Sequence, residues 1–158
     1  MKLTRYITIA GMFLLLACHE PIKVEPFTYS QVFSGQTKKT WQIRNIQLTR
    51  KGQSTQTFQL DACVADDQYV FYNDFNKTYQ ILDGSKKCSG SDPDLLADSN
   101  WSFVNTGATL TILMPILADG PLPFIVKEVD DTKMTLDIYL DEDNTAAYRL
   151  NFKSTSGD

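Results

Sequence analysis

The chain has 158 residues, 42% of them hydrophobic and 22% charged, with a formal net charge of −4. That length and apolar content suit one domain with a proper core. The acidic balance argues against nucleic acid as a partner, because phosphate binding needs clustered Lys and Arg, and the pairs Lys38-Lys39, Arg50-Lys51 and Lys86-Lys87 are scattered and read as turn charge.

The first element is a positive segment with Lys2 and Arg5, followed by a short apolar run from Ile7 to Leu16. The run is too short to cross a bilayer, where about 20 residues are needed, so it reads as a removable export signal. It closes on Leu15-Leu16-Ala17-Cys18, which resembles the bacterial lipobox. The resemblance implies a signal peptide over 1–17, a diacylglyceryl thioether on Cys18, and acylation (palmitate) of the freed amine. One acyl chain attaches only marginally, whereas two or three hold the protein to the membrane for good. The competing reading is an ordinary secretory signal with a chance cysteine. His19 rather than Asp after the cysteine favours an outer-membrane address in the cell envelope, with the periplasmic or outward face left open. Removing the first 17 of 158 residues leaves 141, and the loss of Lys2 and Arg5 takes the charge from −4 to −6.

With Cys18 assigned to lipid, Cys63 and Cys88 remain as a pair. An even pair in an exported domain is expected to form a disulfide, closing a loop of about 26 residues for roughly 3 kcal/mol. A redox or zinc site is the alternative, but there is no Cys-x-x-Cys, and His19 is the sole histidine.

Residues 18–34 read as the lipidated cysteine and a tether, with Pro21 and Pro26 discouraging regular structure. Tyr29, Val32 and Phe33 before Gly35 suggest one helical turn that plugs something apolar. From Thr40 onward the chain reads as strand and turn. Trp41 and Ile43 share one face and Ile46 and Leu48 continue it, a change from odd to even that implies a bulge near Arg44-Asn45. Strands follow over Ser54–Leu60, Gln68–Tyr72 and Lys77–Leu82, the last two joined by the hairpin tip Asn73-Asp74-Phe75-Asn76. Trp101–Asn105, Thr109–Met114 and Phe124–Val129 come next, interrupted by Pro115, Gly120, Pro121 and Pro123. The cleanest alternation sets Met134, Leu136, Ile138 and Leu140 against Thr135, Asp137 and Tyr139. After Asp141-Glu142-Asp143-Asn144, Tyr148, Leu150 and Phe152 alternate with Arg149 and Asn151. The fold class expected over 35–158 is all-β, an antiparallel up-and-down barrel of about eight strands, with a sandwich second.

Lys39-Thr40-Trp41-Gln42-Ile43, the block Cys63-Val64-Ala65-Asp66-Asp67-Gln68-Tyr69-Val70-Phe71, and Tyr79, Gly84, Cys88 and Trp101–Phe103 resemble the small lipocalin-like domain lipoproteins of Bacteroidetes. The likeness covers roughly 35–153. It departs from lipocalins at large, whose first strand opens Gly-x-Trp, since position 39 is Lys. It implies a lipocalin-like barrel on a lipid tether, in a family mostly without assigned activity. In such barrels a late-strand arginine packs across the first-strand tryptophan, which here implies Arg149 over Trp41.

Catalysis finds little support, and the chain reads as non-enzymatic. His19 sits beside the anchor, which removes His-dependent nucleophile pairs and histidine metal sites, and no phosphate-cradling or dinucleotide motif is present. Asp141–Asn144 and Asp92, Asp94 and Asp98 lack the pattern of a calcium loop, so solvated tips are favoured and no metal or cofactor is expected. Two function classes remain. One is a small apolar ligand held in the barrel by Trp41, Ile43, Phe71, Tyr79, Trp101, Phe103, Ile112, Leu136 and Ile138. The other is an envelope-structural lipoprotein with a solid core that docks a protein partner, with the proline-rich Met114–Phe124 segment as the candidate exposed surface.

Overall fold

The computed structural model describes residues 25–105 and 108–155. Among these residues two helices, α1 (Glu25–Ser34) and α2 (Ala62–Ala65), accompany ten strands: β1 (Lys38–Arg50), β2 (Gln56–Phe58), β3 (Gln68–Tyr72), β4 (Thr78–Leu82), β5 (Leu95–Asn100), β6 (Ser102–Val104), β7 (Thr109–Leu113), β8 (Pro121–Val129), β9 (Lys133–Tyr139) and β10 (Ala146–Ser154). They form one antiparallel sheet in the order β5-β4-β3-β1-β10-β9-β8-β7-β6, with β2 also paired to β1. The sheet curls into a nearly closed up-and-down barrel of nine strands, the class expected with one strand more.

Two strands break so that the wall can close. β1 is flanked by β3 along Lys38–Trp41 and by β2 along Ile46–Leu48, and residues 59–67 bow out between them. At the other seam β5 pairs with β4 and β6 with β7, and Trp101 marks the bend. Trp101 N–H donates to Lys77 O at 2.8 Å, and its indole Nε1 donates to Tyr72 O at 3.0 Å. The bulge in β1 falls between Ile43 and Asn45, as the odd-to-even change implies. The β3–β4 tip is held by Asp74, whose carboxylate accepts from Thr78 N at 2.8 Å and Thr78 Oγ1 at 2.6 Å.

α1 departs from the expected tether. Pro26 lies in its first turn, where no N–H is missed. The helix stops at Gly35, which takes φ +63° and donates to Gln31 O, the left-handed end that glycine accepts most readily. Phe33 is completely buried, its ring 4.8 Å from that of Phe103 and 6.4 Å from that of Phe71. The plug thus belongs to the core, not to a linker. Trp41 Nε1 donates to Phe33 O at 2.8 Å, which fastens the helix to β1.

Three further expectations are corrected. β5 was not foreseen, because Leu95–Asn100 places only Ala97 and Ser99 part-way inward. β8 begins at Pro121, not Phe124: Pro121 and Pro123 face β7 alone, since pairing to β9 starts at Ile125, so neither has to supply a ladder N–H to β9. Arg149 does not reach Trp41. Leu150 and Phe152 point inward, so Arg149 points outward, opposite Gln47, and binds Asp137 through Nε and Nη2, both at 2.8 Å. Lys39 supplies the cation instead, its ammonium 4.9 Å from the Trp41 ring.

Trp41→Phe removes the donor to a buried carbonyl and the best cation–π face, at an expected cost of about 2–3 kcal/mol. A urea titration checks this; an unchanged midpoint would show that the helix is held by packing alone.

Candidate functional site

The barrel interior collects the predicted lining. Trp41, Ile43, Phe71, Tyr79, Trp101, Ile112 and Leu136 are buried in one cluster, and Phe103 and Ile138 pack part-buried against it. They do not share one cavity wall. Phe71, Tyr79, Trp101 and Phe103 meet ring to ring, with centroids 4.9 Å apart for Phe71–Tyr79, 5.9 Å for Phe71–Trp101 and 5.4 Å for Trp101–Phe103. Together with Phe33 they fill the end that α1 stops, where edge-to-face packing leaves each ring in contact with the next. The opposite end is looser. Leu60, Leu117, Leu122, Ile138 and Tyr148 are part-buried there, next to buried Leu48. Register places Leu48, Tyr148 and Ile138 side by side on β1, β10 and β9.

Met114–Phe124 contributes to this end as a core edge more than as an exposed surface. Met114 and Phe124 are fully buried, and Ile116 alone among its large apolar side chains stands out at 39% exposure.

Among the described residues, four buried side-chain oxygens lack a hydrogen bond: the Tyr79 hydroxyl and one oxygen each of Asp66, Asp67 and Asp83. The Tyr79 hydroxyl is buried and makes no hydrogen bond. Burial foremost, and then the neighbouring Tyr69, push its ionisation well above the ordinary tyrosine value. Tyr69 is raised in the same way by burial and then by Asp67. Asp67 and Asp83 lie where β3 begins and β4 ends, on either side of the Gln68–Leu82 pair, and Asp67 is the charge next to Tyr69.

The segment between β2 and β3 and the loop after β4 bring together Cys63, Asp66, Asp67, Gly84 and Cys88, residues of the block quoted for the resemblance. Cys63 on α2 and Cys88 form the expected disulfide, with Cα atoms 5.1 Å apart. Asp66 accepts from Ser85 Oγ at 3.0 Å and Lys86 N at 2.9 Å, and Gln42 Nε2 donates to Asp66 O at 3.1 Å. Burial raises Asp66, but these donors outweigh it and hold the carboxyl below its ordinary value. Gly84 packs so closely that an added Cβ would lie 2.3 Å from Asp66 Cγ. Asp67, 6% exposed, leaves Oδ1 without a hydrogen bond, and Asp83 Oδ2 accepts none but lies 3.7 Å from the Lys87 ammonium. Desolvation, opposed by the Gly84 N–H and reinforced by Asp83 and Asp66, lifts Asp67 to about 6. Among the described residues, no three His, Cys, Asp or Glu side chains converge as a metal set.

The other acidic runs bind their own backbones or neighbouring lysines. Asp141 accepts from Thr145 N at 2.7 Å and from its hydroxyl. Asp92 accepts from Ser89 N at 2.6 Å, and Asp94 pairs with Lys87 at 2.6 Å. Cys18 and the signal over 1–17 lie outside the described residues. Compared with known proteins, the chain matches no protein-family model, no curated protein and no solved structure.

Asp67 gives a signed pH effect. An acid raised in the folded state holds its proton more tightly there than when unfolded, so stability falls as pH rises from about 3.8 to about 6 and is level above. Asp67→Asn keeps an acceptor for Gly84 and is expected to be more stable than the parent by on the order of 1–2 kcal/mol at pH 7.5, with no gain near pH 3.5. Denaturant midpoints at both pH values decide it; an equal or negative change at pH 7.5 contradicts the assignment.

Proposed function

We propose that this chain is a lipid-anchored, lipocalin-like binding protein of the bacterial cell envelope that holds one uncharged amphiphile in its barrel and performs no catalysis. The Leu15-Leu16-Ala17-Cys18 signal supports the anchor and the envelope address, outer membrane by the residue after the cysteine. The Cys63–Cys88 disulfide fits the oxidising compartment such a signal leads to.

The observation that carries the ligand reading is the Tyr79 hydroxyl, buried and unpaired among apolar side chains. A buried hydroxyl without a partner costs about 1–3 kcal/mol, and an acceptor brought in by a ligand removes that cost. Charge then narrows the class. Asp67 and Asp83 stand at the adjoining ends of β3 and β4, with Asp67 beside Tyr69. The buried cation, Lys39, lies over Trp41 and 3.6 Å from Asp131. A carboxylate head would meet repulsion without compensation, so a hydroxyl, ester or ketone head fits better, with its apolar tail toward Leu48, Ile138 and Tyr148. A second reading, an interaction lipoprotein with a filled barrel, draws on Phe75, fully exposed at the apex of the β3–β4 hairpin.

Calorimetric titration of the purified protein with dodecanol and with dodecanoate tests the choice. Dodecanol is expected to bind at least about tenfold more tightly, and Tyr79→Phe to weaken it about tenfold. Equal binding of both, indifferent to Tyr79→Phe, would defeat the head-group assignment. Failure of both to bind, with an ordered water on the hydroxyl in a crystal structure, would favour the filled barrel.

A further inference from the structure

On the outer surface, where β1, β10, β9 and β8 lie side by side, a depression of about 310 Å³ is lined by Arg50, Lys51, Lys127, Asp137, Ala147 and Arg149, among others. Its origin is local. Ala147 sits between Thr49 on β1 and Tyr139 on β9, so a small side chain forms the floor where larger neighbours form the rim. The β9–β10 turn closes one edge, fixed by Asp141 on Thr145 and by Asn144 at φ +55°.

The lining is strongly cationic in a chain whose net charge is −4: four cations, Arg50, Lys51, Lys127 and Arg149, surround one carboxylate, Asp137. Asp137 is 2% exposed and already neutralised by the two-pronged bond from Arg149. That pairing fixes the guanidinium and uses two of its five N–H donors, leaving the Nη1 edge available. Arg50, Lys51 and Lys127 have no carboxylate partner among the described residues. Lys127 reaches the depression for a reason of its own. β8 bulges between Val126 and Glu128, and the residue left out of the ladder is Lys127. Bulges re-aim side chains in this way.

We propose that this depression is an anion site for a phosphoryl group on a small molecule or lipid head. Arg149 would be its rigid donor and Lys127, Lys51 and Arg50 its mobile cations. Arginine held in place by a buried carboxylate presents a planar donor edge suited to phosphate oxygens, and lysines add charge without strict geometry. The volume exceeds that of bare phosphate and leaves room for an organic substituent over Ala146, Ala147 and Tyr139. The site lies outside the barrel and stands independently of the interior ligand.

The test uses the purified protein and three probes: inorganic phosphate, glycerol 3-phosphate, and vesicles of phosphatidylcholine with or without phosphatidylglycerol. Glycerol 3-phosphate is expected to shift the amide resonances of Thr49, Lys51, Thr145 and Ala147 saturably, where glycerol and matched sodium chloride do not. Lys127→Gln and Lys51→Gln, both at exposed positions, are each expected to weaken binding about tenfold while leaving the fold intact. Soluble phosphate esters binding without vesicle binding marks a free metabolite as the source. Vesicle binding that needs phosphatidylglycerol and Lys127 marks a lipid head. No saturable shift with any probe, or shifts unchanged in both variants, overturns the site.

Discussion

The hydrogen bond from the Trp41 indole to the Phe33 carbonyl is the constraint from which the rest of the barrel follows. It joins the helix that arrives from the N-terminal segment to the first strand, and it does so with both atoms shut away from water. Around it the packing is dense: Phe33 against Phe103 and Phe71, Phe71 against Tyr79 and Trp101, Tyr69 against Phe152 at 5.6 Å. Each ring buries a large apolar area, on the order of 150–250 Å², so this end contributes heavily to the cohesion of the sheet. Strands β3, β4 and β5 are short, and β3 and β4 supply Tyr69, Phe71 and Tyr79 to this end. The long strands β1, β8 and β10 go on past it to build the looser opposite end.

That division gives the protein two different surfaces for chemistry. Inside, the unpaired Tyr79 hydroxyl at the aromatic end and the part-buried aliphatic side chains of the opposite end are the basis of the proposed amphiphile site. Outside, β1, β10, β9 and β8 carry Arg149 and Lys127 over a floor of alanine. The buried Asp137 carboxylate needs Arg149, and Arg149 is thereby held facing outward and not across Trp41.

Much of the fold was legible because the barrel alternates. Met134 and Leu136 point inward and Thr135 outward, and the parity change between Ile43 and Ile46 marks the bulge that the register confirms. The Asn73–Asn76 tip and the Cys63–Cys88 pairing were equally plain in residue chemistry. What stayed hidden depends on neighbours distant in sequence. Leu95–Asn100 looks like a loop because Asp98, Ser99 and Asn100 have no apolar partner pattern, and it becomes a strand only as the edge that meets β4. Pro121 and Pro123 read as breakers and are tolerated since β9 does not pair with that stretch. The outer depression needs Thr49, Lys127, Tyr139 and Ala147 from four strands at once, so no local run of residues could announce it.

Residue-resolved amide hydrogen exchange tests the central claim, that an aromatic end fastened through Trp41 holds the barrel while the opposite end stays adaptable. The slowest exchange is expected in β3, β4, the Lys38–Ile43 part of β1 and the Met134–Leu136 part of β9, with Gly35 and the last turn of α1 protected alongside them. Faster exchange is expected around β2, the start of β8 and residues 140–146. Protection that is greatest at β2 and the start of β8, with α1 exchanging freely, would contradict the account.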